Sequence, residues 1–469
     1  MSNLRAHVLH SGPLIWSMSV VVMPMDSAVS SLPTSSRAGS PADRGGSPPR
    51  LTLVGAEGPL SELPASDPRP DVHAGGVSWS IDPDLCFLNH GSYGSVVGSV
   101  LEAQRSIRDR MERDPVRFFK VDLEELVDRS RTALGTLVGC HPEDLAPLRN
   151  ATVGLCTIFN NYPWRAGDEI LVTDHEYSSG QYELERIAQR HGVSVIQAHV
   201  PFPLQSPGQV VEAVVSKMTG RTRMVMISHV TSCSSLIFPV EAVAAECRSR
   251  GIDILIDGAH SPGQVPVDIR RLDPAFYVGS LHKWVGAPRG ASFVYVRPDL
   301  QAGFRTIALS SRAKKIRPAR SLFLRDFDYM GTDDYSAFLV VADAIDALGG
   351  MDPGGVGGLM VSNHRRVIHA RDIVCAMTGL TPSCPDEMTG SMVSLVLPEA
   401  GPEASQRPTR YDDPLQDALV ERHGVQAPIW RLWENPGVRV ARLSAQVYNR
   451  PGQYAYFARA LAEELAREH

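Results

Sequence analysis

Residues 253–284, DILIDGAHSPGQVPVDIRRLDPAFYVGSLHKW, concentrate side chains that can do chemistry. The apolar run DILID ends in Asp257, and His260 follows shortly after it. A second apolar run, AFYVGS, delivers Ser280, His282 and Lys283. A lysine amine forms a Schiff base with an aldehyde, and a carboxylate holds a pyridine nitrogen protonated so that the ring accepts electrons. An acid at one strand end and a lysine at another are therefore the pair that pyridoxal phosphate (PLP) requires. The plain alternatives are a surface lysine past a strand and an aspartate capping a turn. Crowding of Lys283 with Asp257, Ser280 and the glycine-rich VGAPRG favours the chemical reading, since a desolvated amine near cations has a lowered pKa.

Other residues join by type. Asn150 opens a helix, and free N–H groups at a helix start receive phosphate, so Ala151, Thr152 and Ser280 form a plausible cup. His175, in TDHEY, is expected to lay its ring over the pyridine face, with Tyr177 in the same neighbourhood. His260 suits the phenolic oxygen of the cofactor. Arg442, in the strand-like VRVARLS, needs a partner if buried, and its planar fork suits a substrate carboxylate.

Periodicity supplies the elements that must hold these residues. Helices are expected at about 97–113, at about 123–138 and from Asn150 toward Asn161. Beyond them, apolar runs EILVTD, SVIQAHV, RMVMISHV, DILIDG, FYVGS and SFVYV alternate with helical patterns such as YELERIAQRHG and VEAVAAECRSRG, each closed by glycine. Such alternation predicts an α/β fold with a mostly parallel sheet covered on both faces. His175, Ser232, Asp257 and Ser280 then fall at strand carboxyl ends, where such sheets carry function. After about residue 340 comes the helix SAFLVVADAIDALGG, then a Pro/Gly-rich loop and shorter strands, which predict a smaller second domain. GGMDPGGVGG follows a helix and not a strand, so it is read as a helix-ending loop and not a phosphate cradle.

Composition bounds the rest. Charged residues are 21% and hydrophobic residues 43% of 469, with a net charge of −6, which suits an ordinary enzyme and gives no basic footprint for nucleic acid. The seven cysteines form no CxxC pair, which points away from disulfides and structural zinc and toward a reducing cytoplasm. No metal site is expected. No run of eighteen apolar residues is present to span a membrane, and Pro24 interrupts the run at 14–25, so export is not expected. Residues 1 to about 75, rich in Ser, Pro, Gly and Ala, are expected to be disordered, with order beginning near Trp79; Met18, Met23 and Met25 are alternative starts.

Taken together, FLNHGSYG (87–94), RNATVG (149–154), GDEILVTDHEY (167–177), DGAHSPGQVPVDI (257–269), YVGSLHKWVGAPRG (277–290), MGTDD (330–334) and RLSAQVYN (442–449) resemble the class V aminotransferase family of fold-type I PLP enzymes, in particular its isopenicillin N epimerase-like branch. The resemblance spans roughly residues 80–465. It implies a large PLP-binding domain at 116–340, a small α+β C-terminal domain at 341–469, and an arm at 76–115 that reaches the substrate mouth. It makes Lys283 the Schiff-base lysine, Asp257 the pyridinium partner, His260 the phenolic-oxygen partner and His175 the stacking ring. Ala151, Thr152, Ser280 and His282 fall at phosphate positions, and Ser232 stands among the cofactor contacts. Thr332 matches a residue that reaches the phosphate from a neighbouring subunit, which implies a homodimer. Arg442 corresponds to the holder of the substrate carboxylate, with Asn89, His90 and Tyr177 at the substrate mouth.

The activity implied is chemistry at Cα or Cβ of an amino-acid-like substrate through an external aldimine, within natural-product metabolism. Epimerisation is the first outcome; a C–S β-lyase acting on a cysteine S-conjugate, amino transfer and decarboxylation are the alternatives, and a non-catalytic PLP-fold protein is disfavoured by the intact lysine and acid. The stretch HGVQAPIWRLWENPGVRVARLS contains no cysteine where desulfurases keep a mobile one, which weighs against persulfide chemistry. SSGQYELER, after DHEY, also departs from the small residue and alanine usual there.

Overall fold

The computed structural model describes residues 63–315, 319–432 and 435–468. Its strands, in chain order, are β1 Cys86–Phe87, β2 Leu145–Leu148, β3 Glu169–Thr173, β4 Ser194–Ala198, β5 Thr222–Ser228, β6 Asp253–Gly258, β7 Phe276–Ser280, β8 Ser292–Val296, β9 Met392–Leu397, β10 Val425–Gln426, β11 Ile429–Leu432 and β12 Asn435–Ser444. The main sheet has seven strands in the order β2-β8-β7-β6-β5-β3-β4. Only β8 runs against its neighbours β2 and β7; the remaining contacts are parallel.

Side-chain alternation explains the double-sided cover. Val225, Ile227, Ile254, Ile256 and Tyr277 enter one apolar core, while Met224, Met226, Leu255, Phe276 and Val278 enter another on the opposite face. A fully buried Val, Leu, Ile, Met or Phe contributes roughly 1.5–3 kcal/mol, so runs that bury both faces have no stable alternative as exposed hairpins. The strand β2, LAPL, was missed in the sequence because Pro147 cannot donate to a ladder. It is an edge strand paired only with β8, which is where proline is tolerated.

The helices Gly98–Arg113, Leu123–Val138 and Ala151–Asn161 lie where periodicity placed them. A further helix, Gly355–Thr378, overturns the reading of 349–358 as wholly a loop. Its glycines at 355, 357 and 358 hide the start, since glycine is a poor helix former. Gly358 is required by a close approach: a Cβ there would meet Asp352 Oδ1 at 2.2 Å. That carboxylate accepts hydrogen bonds from the Gly354 amide at 2.9 Å and Ser362 Oγ at 2.7 Å, closing the first turn.

The antiparallel sheet β11-β12-β9 is covered by the contacting helices Gly355–Thr378 and Pro451–Ala466, around a core including Val367, Ile373, Leu395, Ala441 and Phe457. Helix Val341–Gly349 packs against Leu123–Val138. The expectation of disorder for 1–62 lies outside the described residues. Residues 63–75, included in that expectation, are in fact tied to the C-terminal segment. Asp67 N donates to Gly452 O at 3.1 Å and Asp71 N to Tyr448 O at 2.8 Å, and Arg450 pairs with Asp71 at 2.8 Å. Backbone hydrogen bonds to a packed neighbour order a segment whose own composition could not. Among the described residues, no helix is long and apolar enough to cross a membrane.

Candidate active site

Because β5, β6 and β7 are adjacent and parallel, their carboxyl ends open on one edge of the sheet. Ser232 follows β5, Asp257 lies at the end of β6 with His260 beyond it, and Ser280 ends β7 just before His282 and Lys283. These residues line one cavity together with Ala151 and Thr152 at the start of helix Ala151–Asn161. The space they surround, open to solvent, is about 680 Å³.

Lys283 Nζ stands 2.9 Å from His260 Nε2. Burial, then the Arg442 charge, push the Lys283 ammonium down to about 7, against a smaller opposing pull from Asp257. Burial raises the Asp257 carboxyl; its Oδ1 accepts from the Ala259 amide at 2.9 Å. His260 and His282 each keep a buried Nδ1 without a hydrogen-bond partner among the described residues. Asn150 caps its helix, Oδ1 accepting from the Val153 amide at 2.9 Å, and the amides of the first turn have no carbonyl behind them to bond.

Arg442 is fully buried. Its Nη1 donates to Ser232 O at 3.0 Å, and its Nη2 donates to Asn89 Oδ1 at 3.1 Å and Ser92 Oγ at 2.7 Å. These acceptors are neutral, and burial lowers the guanidinium pKa to about 10. Ser232 and Asn89 thus serve the arginine directly. The cavity wall also holds Ser92, Tyr93, Tyr177, Ser179 and Ser228.

Of the expected site residues, Asn89, His90, His175, Thr332 and Arg442 do not line the cavity. His175 does not line the cavity: its Nδ1 is 2.7 Å from Ser234 Oγ, its Nε2 is 3.0 Å from Val200 O, and Phe202 and Phe238 meet its ring edge-on. Tyr177, two residues on and half exposed, lines the cavity where His175 does not. His90 is likewise a core residue. Its Nδ1 is 2.9 Å from Tyr448 OH and its Nε2 is 3.1 Å from Lys283 O, and burial lowers its pKa to about 4. It braces the lysine's backbone. Thr332 is exposed, with Oγ1 3.0 Å from Tyr329 OH, and does not line its own chain's cavity.

Sequence reasoning missed Glu176, Ser92 and Tyr93. Glu176 is buried beneath the site, accepting from Ser228 Oγ at 2.6 Å and Thr173 Oγ1 at 2.7 Å. Burial raises it to about 7, with the Asp257 charge adding to the rise. Tyr93 precedes Gly94, whose φ of +67° suits glycine; a Cβ there would meet His282 O at 2.1 Å. That contact anchors the short helix His90–Tyr93 against the lysine loop.

A profile of the family Aminotransferase class-V matches residues 111–352. Isopenicillin N epimerase of Streptomyces clavuligerus is 31% identical over 78% of this chain and 92% of its own length. A probable chloroplastic L-cysteine desulfhydrase of Arabidopsis thaliana is 28% identical over 80% of this chain and 81% of its own. The solved structure of the cystine C–S lyase C-DES with its product cysteine persulfide shares the fold, with a TM-score of 0.68 and 18% identity over 81% of this chain and 98% of its own.

Proposed function

Because the chain belongs to the class V aminotransferase family, we propose that this PLP-dependent enzyme removes the α-proton of an amino-acid-like substrate and that Lys283 is the base. The observation that carries this reading is Arg442, a buried guanidinium whose hydrogen bonds among the described residues go to neutral groups and whose charge reaches the Lys283 amine and helps lower its pKa. A buried charge with no acid bonded to it among the described residues calls for an anionic partner, and the α-carboxylate of an amino acid supplies one.

The residues fit PLP. Asp257 would hold the ring nitrogen, and His260, with its unpartnered Nδ1, would stand by the phenolic oxygen. Ala151, Thr152, Ser280 and His282 would receive the phosphate, and Tyr177 would cover the ring in the role first expected of His175. Bound PLP supplies the electron sink that makes the α-hydrogen acidic. Arg442 fixes the carboxylate, and Lys283, its ammonium lowered to about 7, reaches the neutral form that takes the proton far more readily than an ordinary lysine.

Epimerisation is the outcome we favour. It requires a proton donor on the face away from Lys283, and Tyr177, which follows β3 and lines the same cavity, is the candidate. The relatives named L-cysteine desulfhydrase support a second reading, β-elimination from a sulfur-bearing substrate. Incubation with L-amino acids and cysteine conjugates in deuterated water separates them. Racemisation with deuterium at Cα supports epimerisation; released thiol with a keto acid supports elimination; neither, with intact holoenzyme, refutes both. We further propose a cytoplasmic homodimer in which Thr332 serves the partner's site, supported by unpaired cysteines and by the exposed position of Thr332.

A further inference from the structure

We propose that Trp430 and Asp412 are positioning residues for Arg442, the indole face carrying the guanidinium charge so that its N–H edges are held only by neutral acceptors that a substrate carboxylate can displace. The inference rests on the reading of Arg442 as the carboxylate holder.

The antiparallel register sets Trp430 of β11 opposite Val440 of β12. Residues two apart on a strand share a face, so Arg442 is the diagonal neighbour of Trp430, within reach of an aromatic side chain. The guanidinium carbon lies 4.4 Å from the Trp430 ring centroid. On the other side, Trp430 Nε1 donates to Asp412 Oδ2 at 2.7 Å. An anion accepting the indole N–H shifts electron density into the ring and deepens the negative potential of its face. The next residue, Asp413, accepts from Arg439 Nη2 at 2.6 Å and Nε at 2.9 Å. The strand that carries Arg442 thus also holds the residue next to the carboxylate that bonds the indole.

The arrangement answers a problem of competition. A buried arginine ordinarily demands an acid, but an acid lying in the plane of the fork would occupy the hydrogen bonds that a substrate carboxylate needs. A ring stacked on the flat face attracts the charge from a direction that carries no N–H. Asp412 contributes its negative charge through the indole and leaves the fork to the neutral acceptors Ser232, Asn89 and Ser92, which a carboxylate can displace.

The test uses holoenzyme and a matched pair of probes: L-cysteine, and cysteamine, which lacks the carboxylate. The readout is the concentration that half-completes the change in cofactor absorbance. Trp430→Leu is expected to raise the L-cysteine value roughly 3- to 30-fold while shifting cysteamine less than about twofold. Trp430→Phe, which keeps a π face, is expected to recover most of the loss. Asp412→Asn should weaken L-cysteine alone, by about 2- to 5-fold. Unchanged L-cysteine binding in Trp430→Leu, or equal losses for both probes, overturns the proposal. If Trp430→Leu does not fold, Trp430→Phe and Asp412→Asn decide, since an indistinguishable pair of probes in Asp412→Asn also overturns it. Arg442→Ala is the control on the premise. If it spares L-cysteine, the carboxylate reading itself fails; if it alone loses L-cysteine, only the positioning role fails.

Discussion

Lys283 Nζ and His260 Nε2 stand 2.9 Å apart, and both bases are held below their ordinary pKa. For Lys283 the causes are burial and then the Arg442 charge; for His260 they are burial and then the Lys283 charge. Two protons here would place like charges in a water-poor site, so the geometry favours a neutral amine ready to attack an aldehyde or take a proton. Lys283→Ala is expected to abolish the lysine-linked absorbance of bound PLP and to lower turnover by at least roughly 10²- to 10⁴-fold. Absorbance spectra and product assays check both, and full turnover in this variant would remove Lys283 from the mechanism.

The lowered Lys283 pKa sets a pH dependence in the apoprotein. The unfolded chain binds a proton up to the ordinary value of 10.5, whereas the folded chain releases it at about 7. Unfolded protein therefore binds more protons in this window, and stability contributed by this group rises with pH from about 7, by at most about 1.4 kcal/mol per unit. Denaturant melts of apoprotein at pH 7 and 9, compared with Lys283→Met, should show that slope diminished in the variant. The rate of PLP recapture should climb around pH 7 and not near pH 10.

His175 and Tyr177 give opposite expectations. Tyr177→Ala should weaken PLP retention on dialysis and substrate handling, with little loss of folding stability. His175→Ala leaves the Ser234 hydroxyl and Val200 carbonyl without their partner and should destabilise the protein by about 1–3 kcal/mol. Thermal melts beside PLP retention distinguish them; a reversed pattern would return the stacking role to His175.

Arg442→Ala should raise the concentration of amino acid required for half-saturation by roughly 30-fold or more. PLP retention should change far less. Equal losses of both, measured by titration and dialysis, would contradict the assignment of Arg442 to substrate.

His90→Ala tests the core role that replaced its expected place at the substrate mouth. Loss of its contacts to Tyr448 OH and the Lys283 carbonyl should lower the melting temperature while leaving the half-saturating substrate concentration within about threefold. A large rise in that concentration without loss of stability would restore the substrate contact.

The sequence by itself determined the cofactor chemistry and the sheet that presents it. Asp257 and Lys283 stand at the ends of apolar runs that bury both faces, so strand position and chemical type were readable from local pattern. The family followed from residue identities in order. Tertiary structure alone decided which side chains reach the cavity. His175 and Tyr177 are two residues apart in one motif, yet one is engaged by Ser234 and Val200 while the other faces the site; that choice depends on partners far along the chain. The same holds for Trp430, whose place against Arg442 exists only through the register of β11 on β12. Local sequence encodes periodicity and residue type, whereas the direction of a side chain is fixed by long-range partners that pattern does not contain.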